Sequence, residues 1–257
     1  MGILSVEFIL PAFLIFVRVT SLLLTAPFFS FQTIPTRVKA FFGMMLTVAL
    51  FPVIPIQAGH LPSSPGNLEV VILTTIEALT GVVIGLAGQI VFGGIQIGGK
   101  LLSINIGLGF AQVVDPVTQN QSSVIGQMLI LLGTLLFLSV DGPHMYVHIL
   151  AHSFEQLPLG MASLEGASPV LIEIAVYMFI VGVQLASPFI VVLFLLDLSF
   201  AIFARIMPQA NIFFIALPLK IGIGVLMLML VIPYVPVTFG HFFSELWRYI
   251  SELLAAL

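Results

Sequence analysis

Water cannot be the main solvent of this chain, because the chain carries almost no charge. Only 7% of its 257 residues are Asp, Glu, Lys or Arg, against about 25% in an ordinary soluble domain. Hydrophobic residues make up 60%, and the mean hydropathy is +1.24. So sparse a set of charges cannot cover a soluble fold of this size. Most of the surface must face lipid or other apolar protein, and the function must be one performed in a membrane. The net charge of −4 contains no basic run, which argues against a nucleic-acid partner. There are no cysteines, which excludes a disulfide framework, thiolate metal sites and a cysteine nucleophile. The start, Met1 to Glu7, has no positive segment and no clear cleavage site follows, so the first apolar stretch is expected to be retained.

A membrane span needs about 20 mostly apolar residues. Six apolar regions meet or approach that length: Phe8 to Phe29, Ala40 to Ile56, Leu68 to Gly98, Val124 to Phe154, Pro169 to Ala204 and Ile212 to Phe239. The second is short and the fourth and fifth are long. The expected fold is an all-α membrane protein forming one integral membrane domain over residues 1–257. Residues 241–257 read as a short amphipathic C-terminal tail, with Leu246, Ile250, Leu253 and Leu254 on one face. Pro11, Pro188, Pro218, Pro233 and Pro236 fall in or near the apolar runs, so kinked or broken helices are expected. In the third region, Gly81 with Gly85 and Gly94 with Gly98 have the small-xxx-small spacing that lets helix backbones approach closely. That spacing suits packing within the chain or against neighbouring subunits. Arg37, Lys39, Lys100 and Arg205 lie after the first, third and fifth regions. By the positive-inside rule those loops face the cytoplasm and both termini the other side.

Ionisable residues inside apolar segments are candidates for function. Here they are Arg18, Glu77, Glu173, Asp197 and Lys220. A proton-coupled secondary transporter could use Glu77 and Asp197 as carriers. Alternatively, opposite charges pair within a packed bundle, for instance Arg18 or Lys220 with Asp197. Asp141, His144, His148 and His152 form a polar stripe whose histidines share one helical face. That spacing is compatible with metal ligands, but the end of an apolar run is also where surface polar residues belong. No nucleophile elbow, phosphate-binding glycine loop or His-Glu-x-x-His helix occurs. Neither enzymatic activity nor a cofactor or metal is expected.

The most unusual stretch is Lys100 to Ser123, with residues 103–123 expected to form a loop. Gly107, Leu108, Gly109, Phe110, Ala111, Gln112, Val113 and Val114 form an apolar arm with glycines at its start. Asp115-Pro116 breaks any continuing helix, and Gln119-Asn120-Gln121-Ser122-Ser123 is a polar arm. A loop that is apolar on one side and polar on the other suits a protein-lined cavity at membrane depth.

Here the chain resembles the FliR family of the flagellar type III export gate. The matching stretches are Thr25-Ala26-Pro27, Ile34-Pro35-Thr36-Arg37-Val38-Lys39, Gly107-Leu108-Gly109-Phe110-Ala111 with Val114-Asp115-Pro116, and Gln121-Ser122-Ser123-Val124-Ile125-Gly126-Gln127. Leu136-Phe137-Leu138 with Asp141-Gly142, then Leu157-Pro158-Leu159-Gly160, and Arg205-Ile206-Met207-Pro208-Gln209-Ala210-Asn211-Ile212-Phe213 leading to Leu217-Pro218-Leu219-Lys220, complete the pattern. Together they cover nearly the whole chain in order. The related injectisome subunit is the nearest family of similar architecture.

The resemblance implies a subunit without catalytic role, present as a single copy beside FliP and FliQ, with FlhB adjoining. It implies a gate in the bacterial inner membrane, within the flagellar basal body, that passes unfolded rod, hook and filament subunits. It implies helices wound into a hetero-oligomeric assembly rather than a straight bundle. Gly107 to Pro116 would be the plug of the closed pore, while Gly81, Gly85, Gly94, Gly98, Arg37, Lys39, Arg205 and Pro208 would serve packing and assembly.

Overall fold

The computed structural model describes residues 6–30, 34–54, 65–108, 123–163, 166–209 and 211–257. Among these the chain is built from helices, with no strand. They are α1 (Val6–Thr25), α2 (Thr36–Leu50), α3 (Asn67–Ile106), α4 (Val124–Ser139), α5 (Gly142–Gln156), α6 (Ala167–Ile206), α7 (Ile212–Val231) and α8 (Val235–Ala256), with a 3-10 turn at Ile232–Tyr234 before α8. The protein is therefore an all-α membrane protein.

Four helical stretches are long and apolar enough to cross a membrane: Phe8–Thr25, α3, α6 and the Ile212–Ala256 run. The six apolar regions of the sequence resolve differently in two places. The second yields only the 15 residues of α2, about 22 Å of helix, short of the roughly 30 Å hydrocarbon core. The fourth splits into α4 and α5, bent by 65° at the break between them. Asp141 stands at that break in the left-handed region (φ 56°), with Pro143 in the first turn of the helix that follows. By contrast α3 and α6 are 40 residues each, about 60 Å long. Pro11, Pro188 and Pro218 are accommodated inside α1, α6 and α7. Pro233 lies in the 3-10 turn and Pro236 in the first turn of α8, where a missing N–H costs least.

The chain divides into two compact units. The first comprises Met1–Ile90, Phe137–Ala175 and Ser244–Leu257. Its core includes Leu14, Ile15, Val19, Leu22, Ile84 and Leu150. The rings of Phe137, Tyr146 and Trp247 pack on one another, with centroids 5.4–6.3 Å apart. The C-terminal half of α8 belongs here. Leu246, Ile250, Leu253 and Leu254 are buried, while Arg248 on the outer face pairs with Glu245 and Glu252 at 2.6 and 2.7 Å. The Leu257 carbonyl accepts a hydrogen bond from the Ser163 N–H at 2.5 Å.

The second unit comprises Val91–Leu136 and Val176–Phe243. Ile95, Leu102, Val181, Phe189, Leu193 and Phe239 are buried in it, and Phe92 stacks on Phe243 at 5.9 Å.

Candidate functional site

In the first unit the polar chemistry converges on Arg18, which is fully buried together with Glu77. Arg18 Nε donates to Glu77 Oε2 at 2.5 Å and its NH2 to Oε1 at 3.0 Å, a two-pronged pair. The remaining guanidinium edge donates to the carbonyls of Ser153 (3.2 Å) and Leu157 (3.1 Å). Its Cζ lies 4.4 Å from the centroid of the Phe154 ring, a cation–π contact. Glu77 Oε1 also accepts the Gly160 N–H at 2.7 Å. Gly160 has φ +77°, which glycine adopts freely and a β-carbon resists. A buried charge is tolerable only if paired and hydrogen-bonded, and both groups meet that condition. The clasp fastens α1, α3, the end of α5 and the Leu157–Gly160 turn to one another.

Small residues let α3 approach its neighbours within each unit. In the first, a Cβ on Gly81 would lie 3.0 Å from the Leu22 nitrogen, and one on Gly85 2.9 Å from the Ala26 nitrogen. Gly88 faces the Tyr146 hydroxyl and the Pro27 ring. In the second, a Cβ on Gly94 would stand 2.6 Å from the Met178 carbonyl oxygen and 3.1 Å from Val181 Cβ, and one on Gly98 3.0 Å from the Gly182 oxygen. The long helix thus lies against α1 with one glycine stretch and against α6 with the other.

The proposed plug is only partly in view. Gly107 and Leu108 follow the end of α3, and Gly107 takes φ +95° beside Leu217. Gly109, Phe110, Ala111, Gln112, Val113, Val114, Asp115 and Pro116 lie outside the described residues. The chain returns at Ser123, whose hydroxyl donates to the Gly99 carbonyl at 3.2 Å and accepts the Gly126 N–H at 3.1 Å. Ser123 thus ties the start of α4 to α3.

The other candidates are dispersed. Lys220 Nζ bonds both oxygens of Asp197, at 2.8 and 2.9 Å, with the Asp197 side chain 52% exposed. Arg18 pairs with Glu77, not with Asp197. Glu173, Arg37, Arg205 and Pro208 are exposed, whereas Lys39 is buried. His144, His148 and His152 are exposed on α5, and His152 contacts Glu155 (2.8 Å) and Gln156 (3.0 Å). Among the described residues, no three His, Asp or Glu side chains come together as metal ligands.

The family described as bacterial export proteins, family 1, matches residues 9–246 of this chain. The chain belongs to the FliR family of flagellar export proteins. Its relatives include the flagellar biosynthetic protein FliR of Pectobacterium carotovorum, 32% identical over 94% of this chain and 92% of that protein. The FliR proteins of Bacillus subtilis and Escherichia coli are each 30% identical, covering 98% and 93% of this chain and 97% and 91% of their own lengths. With its apolar spans, this FliR-family chain is an integral membrane protein.

In the sequence Arg18 and Glu77 stand out as charges in apolar runs, but their partnership and the parts of Ser153 and Gly160 do not. The available signal was the Leu157-Pro158-Leu159-Gly160 turn, where a glycine after a proline marks a left-handed position able to turn an N–H inward.

Proposed function

We propose that this chain is a pore-forming subunit of the flagellar type III export gate in the bacterial inner membrane. In this reading it stands as a single copy among FliP and FliQ, with FlhB adjoining. It passes unfolded rod, hook and filament subunits out of the cytoplasm, and it does so as a structural part rather than an enzyme. The observation that carries the reading is the family correspondence over residues 9–246, which includes the whole Lys100 to Ser123 region. The surface supports it. In α7 only Gly224 is buried, while Phe194, Leu195, Ile202 and Phe203 of α6 and Phe213, Phe214 and Ile215 of α7 are exposed. An apolar face of that size is suited to burial against lipid and neighbouring subunits.

The plug role falls to Gly107, Leu108 and the loop through Pro116. Phe110, Val113 and Val114 are the side chains to close a narrow pore, since apolar constrictions block ions by dewetting. Deleting Phe110 to Pro116 should leave the complex assembled, make the membrane leak ions and impair flagellar export. A deletion complex that forms normally and leaves the membrane as tight as wild type overturns the plug assignment.

The transporter reading loses ground on one observation. A proton carrier must exchange its proton with water, yet Glu77 is fully buried with both oxygens bonded to Arg18 and one also to Gly160. Protonating it would strand the Arg18 charge.

A further inference from the structure

In the first unit α2 presents its two sides in reverse. A helix on the surface of a water-soluble fold buries its apolar stripe and exposes its polar one. In α2 the buried residues are Lys39, Gly43 and Thr47, each four residues on from the last and so on one face. That helix packs on α1. On its other side Phe41, Met44, Met45 and Val48 are 56–71% exposed. Gly43 lets the seam close, since a Cβ there would stand 2.9 Å from the Thr20 hydroxyl oxygen. Thr47 turns its hydroxyl back to the Gly43 carbonyl at 2.8 Å. The Thr20 hydroxyl is wholly covered and has no hydrogen-bond partner among the described residues.

Lys39 is the group this arrangement leaves unmet. It is 9% exposed, and its ammonium has no ion-pair or hydrogen-bond partner among the described residues. An ammonium taken out of water is costly unless an opposite charge meets it. Arg37, two residues away, is exposed, where water or a lipid headgroup can meet it. Lys39 lies in the seam and needs an acceptor held against the helix. Acyl chains could cover Phe41, Met44, Met45 and Val48, but they supply no acceptor, and a cation left in hydrocarbon is unfavourable. A protein segment can supply both things at once, an apolar surface for the outer face and a fixed carboxylate for the cation. The apolar outer face and the unpaired cation thus point to the same kind of occupant.

We propose that α2 is a docking surface for a neighbouring protein subunit, which lays an apolar segment along Phe41, Met44, Met45 and Val48 and brings an Asp or Glu carboxylate to Lys39. The proposal rests on the export-gate reading and gives it a face and a contact chemistry.

Two measurements test it: the amount of intact complex recovered from membranes in a mild detergent, and the Tm of the isolated full-length chain. Wild type should be recovered with partner subunits. Lys39→Met should lower that recovery at least about tenfold. It should leave the Tm of the isolated chain equal or higher, because it removes an unpaired charge. Lys39→Arg keeps the charge and should keep most of the recovery. Val48→Asn alters a side chain that the isolated chain leaves exposed, so it should spare the Tm and still lower recovery several-fold. That variant covers the case in which Lys39→Met does not yield folded protein. A photo-reactive residue substituted for Met45 should become joined to a subunit of the complex. Undiminished complex with Lys39→Met, a fall in Tm that matches the fall in recovery, or a Met45 adduct with lipid alone overturns the docking surface and leaves the export reading standing. Wild type recovered without any partner subunit overturns both.

Discussion

Among the described residues two ion pairs join different helices, and their surroundings are opposite. Arg18–Glu77 is fully buried, and its donors and acceptors are met by Ser153, Leu157 and Gly160. Asp197–Lys220 joins α6 to α7 with the carboxylate half exposed. The first pair sits among buried side chains of its own unit, Leu14, Ile15, Leu22 and Phe154 among them. The second sits on a helix pair that leaves most of its apolar side chains uncovered. Charge in the first case holds one chain together. In the second it lies on a surface that this chain does not cover by itself, and lipid would be a poor cover for it, because exposed ionised groups are costly in hydrocarbon.

The largest expected effect follows from the first pair. Arg18→Ala leaves a buried, uncompensated carboxylate and strips Ser153 and Leu157 of their donor. The cost should be about 3–5 kcal/mol. Thermal unfolding of the detergent-solubilised chain would show it as a large fall in Tm or as loss of folded protein. Replacing both partners, Arg18→Met with Glu77→Leu, should recover a substantial part. If Arg18→Ala unfolds at the wild-type temperature, the clasp does not hold the first unit together and the contrast fails.

The two pairs were not equally legible in the sequence. The scarcity of charge and the length of the apolar runs were enough for an all-α membrane fold, because hydrophobic length is a local property. They were not enough to separate α2 from a span, or to show that Val124 to Phe154 is broken. The break depends on a left-handed Asp141, a residue type that tolerates that conformation without demanding it. Arg18, Glu77, Asp197 and Lys220 all stood out as charges among apolar residues. Lys220 with Asp197, 23 residues apart on successive helices, is a pairing the sequence offers, whereas Arg18 with Glu77 is not, since they are 59 residues apart and their meeting depends on how α1 and α3 pack. The glycines of α3 were visible by spacing. That the same helix turns one set to α1 and another to α6 is a tertiary fact.

An intermediate effect tests that division of α3. Gly94→Leu inserts a side chain where a Cβ alone would stand 2.6 Å from the Met178 oxygen. Backbone cannot yield as a flexible side chain does, so overpacking of about 1–3 kcal/mol is expected. The yield of intact complex recovered from membranes should fall, and Gly94→Ala should lie between Leu and wild type. Full recovery of complex with Gly94→Leu would show that the α3–α6 contact is dispensable for assembly.

The smallest effect on the isolated chain is expected at the second ion pair. A partly exposed pair gains little, typically about 0–1 kcal/mol, because water screens it and ordering a long lysine costs entropy. Lys220→Ala should therefore scarcely move the Tm of the solubilised chain, well below the change from Arg18→Ala. The assembled complex should respond differently. Once a neighbouring subunit covers the α6–α7 surface, Asp197 without Lys220 is a carboxylate placed in an apolar interface, and a stranded buried charge costs several kcal/mol rather than a fraction of one. Lys220→Ala should then reduce recovery of complex while sparing the chain itself. Asp197→Asn together with Lys220→Ala, which removes both charges, should restore part of that recovery. Equal loss in the isolated chain and in the complex would mean that the α6–α7 pair stabilises the chain alone, and the contrast between the two regions would not hold.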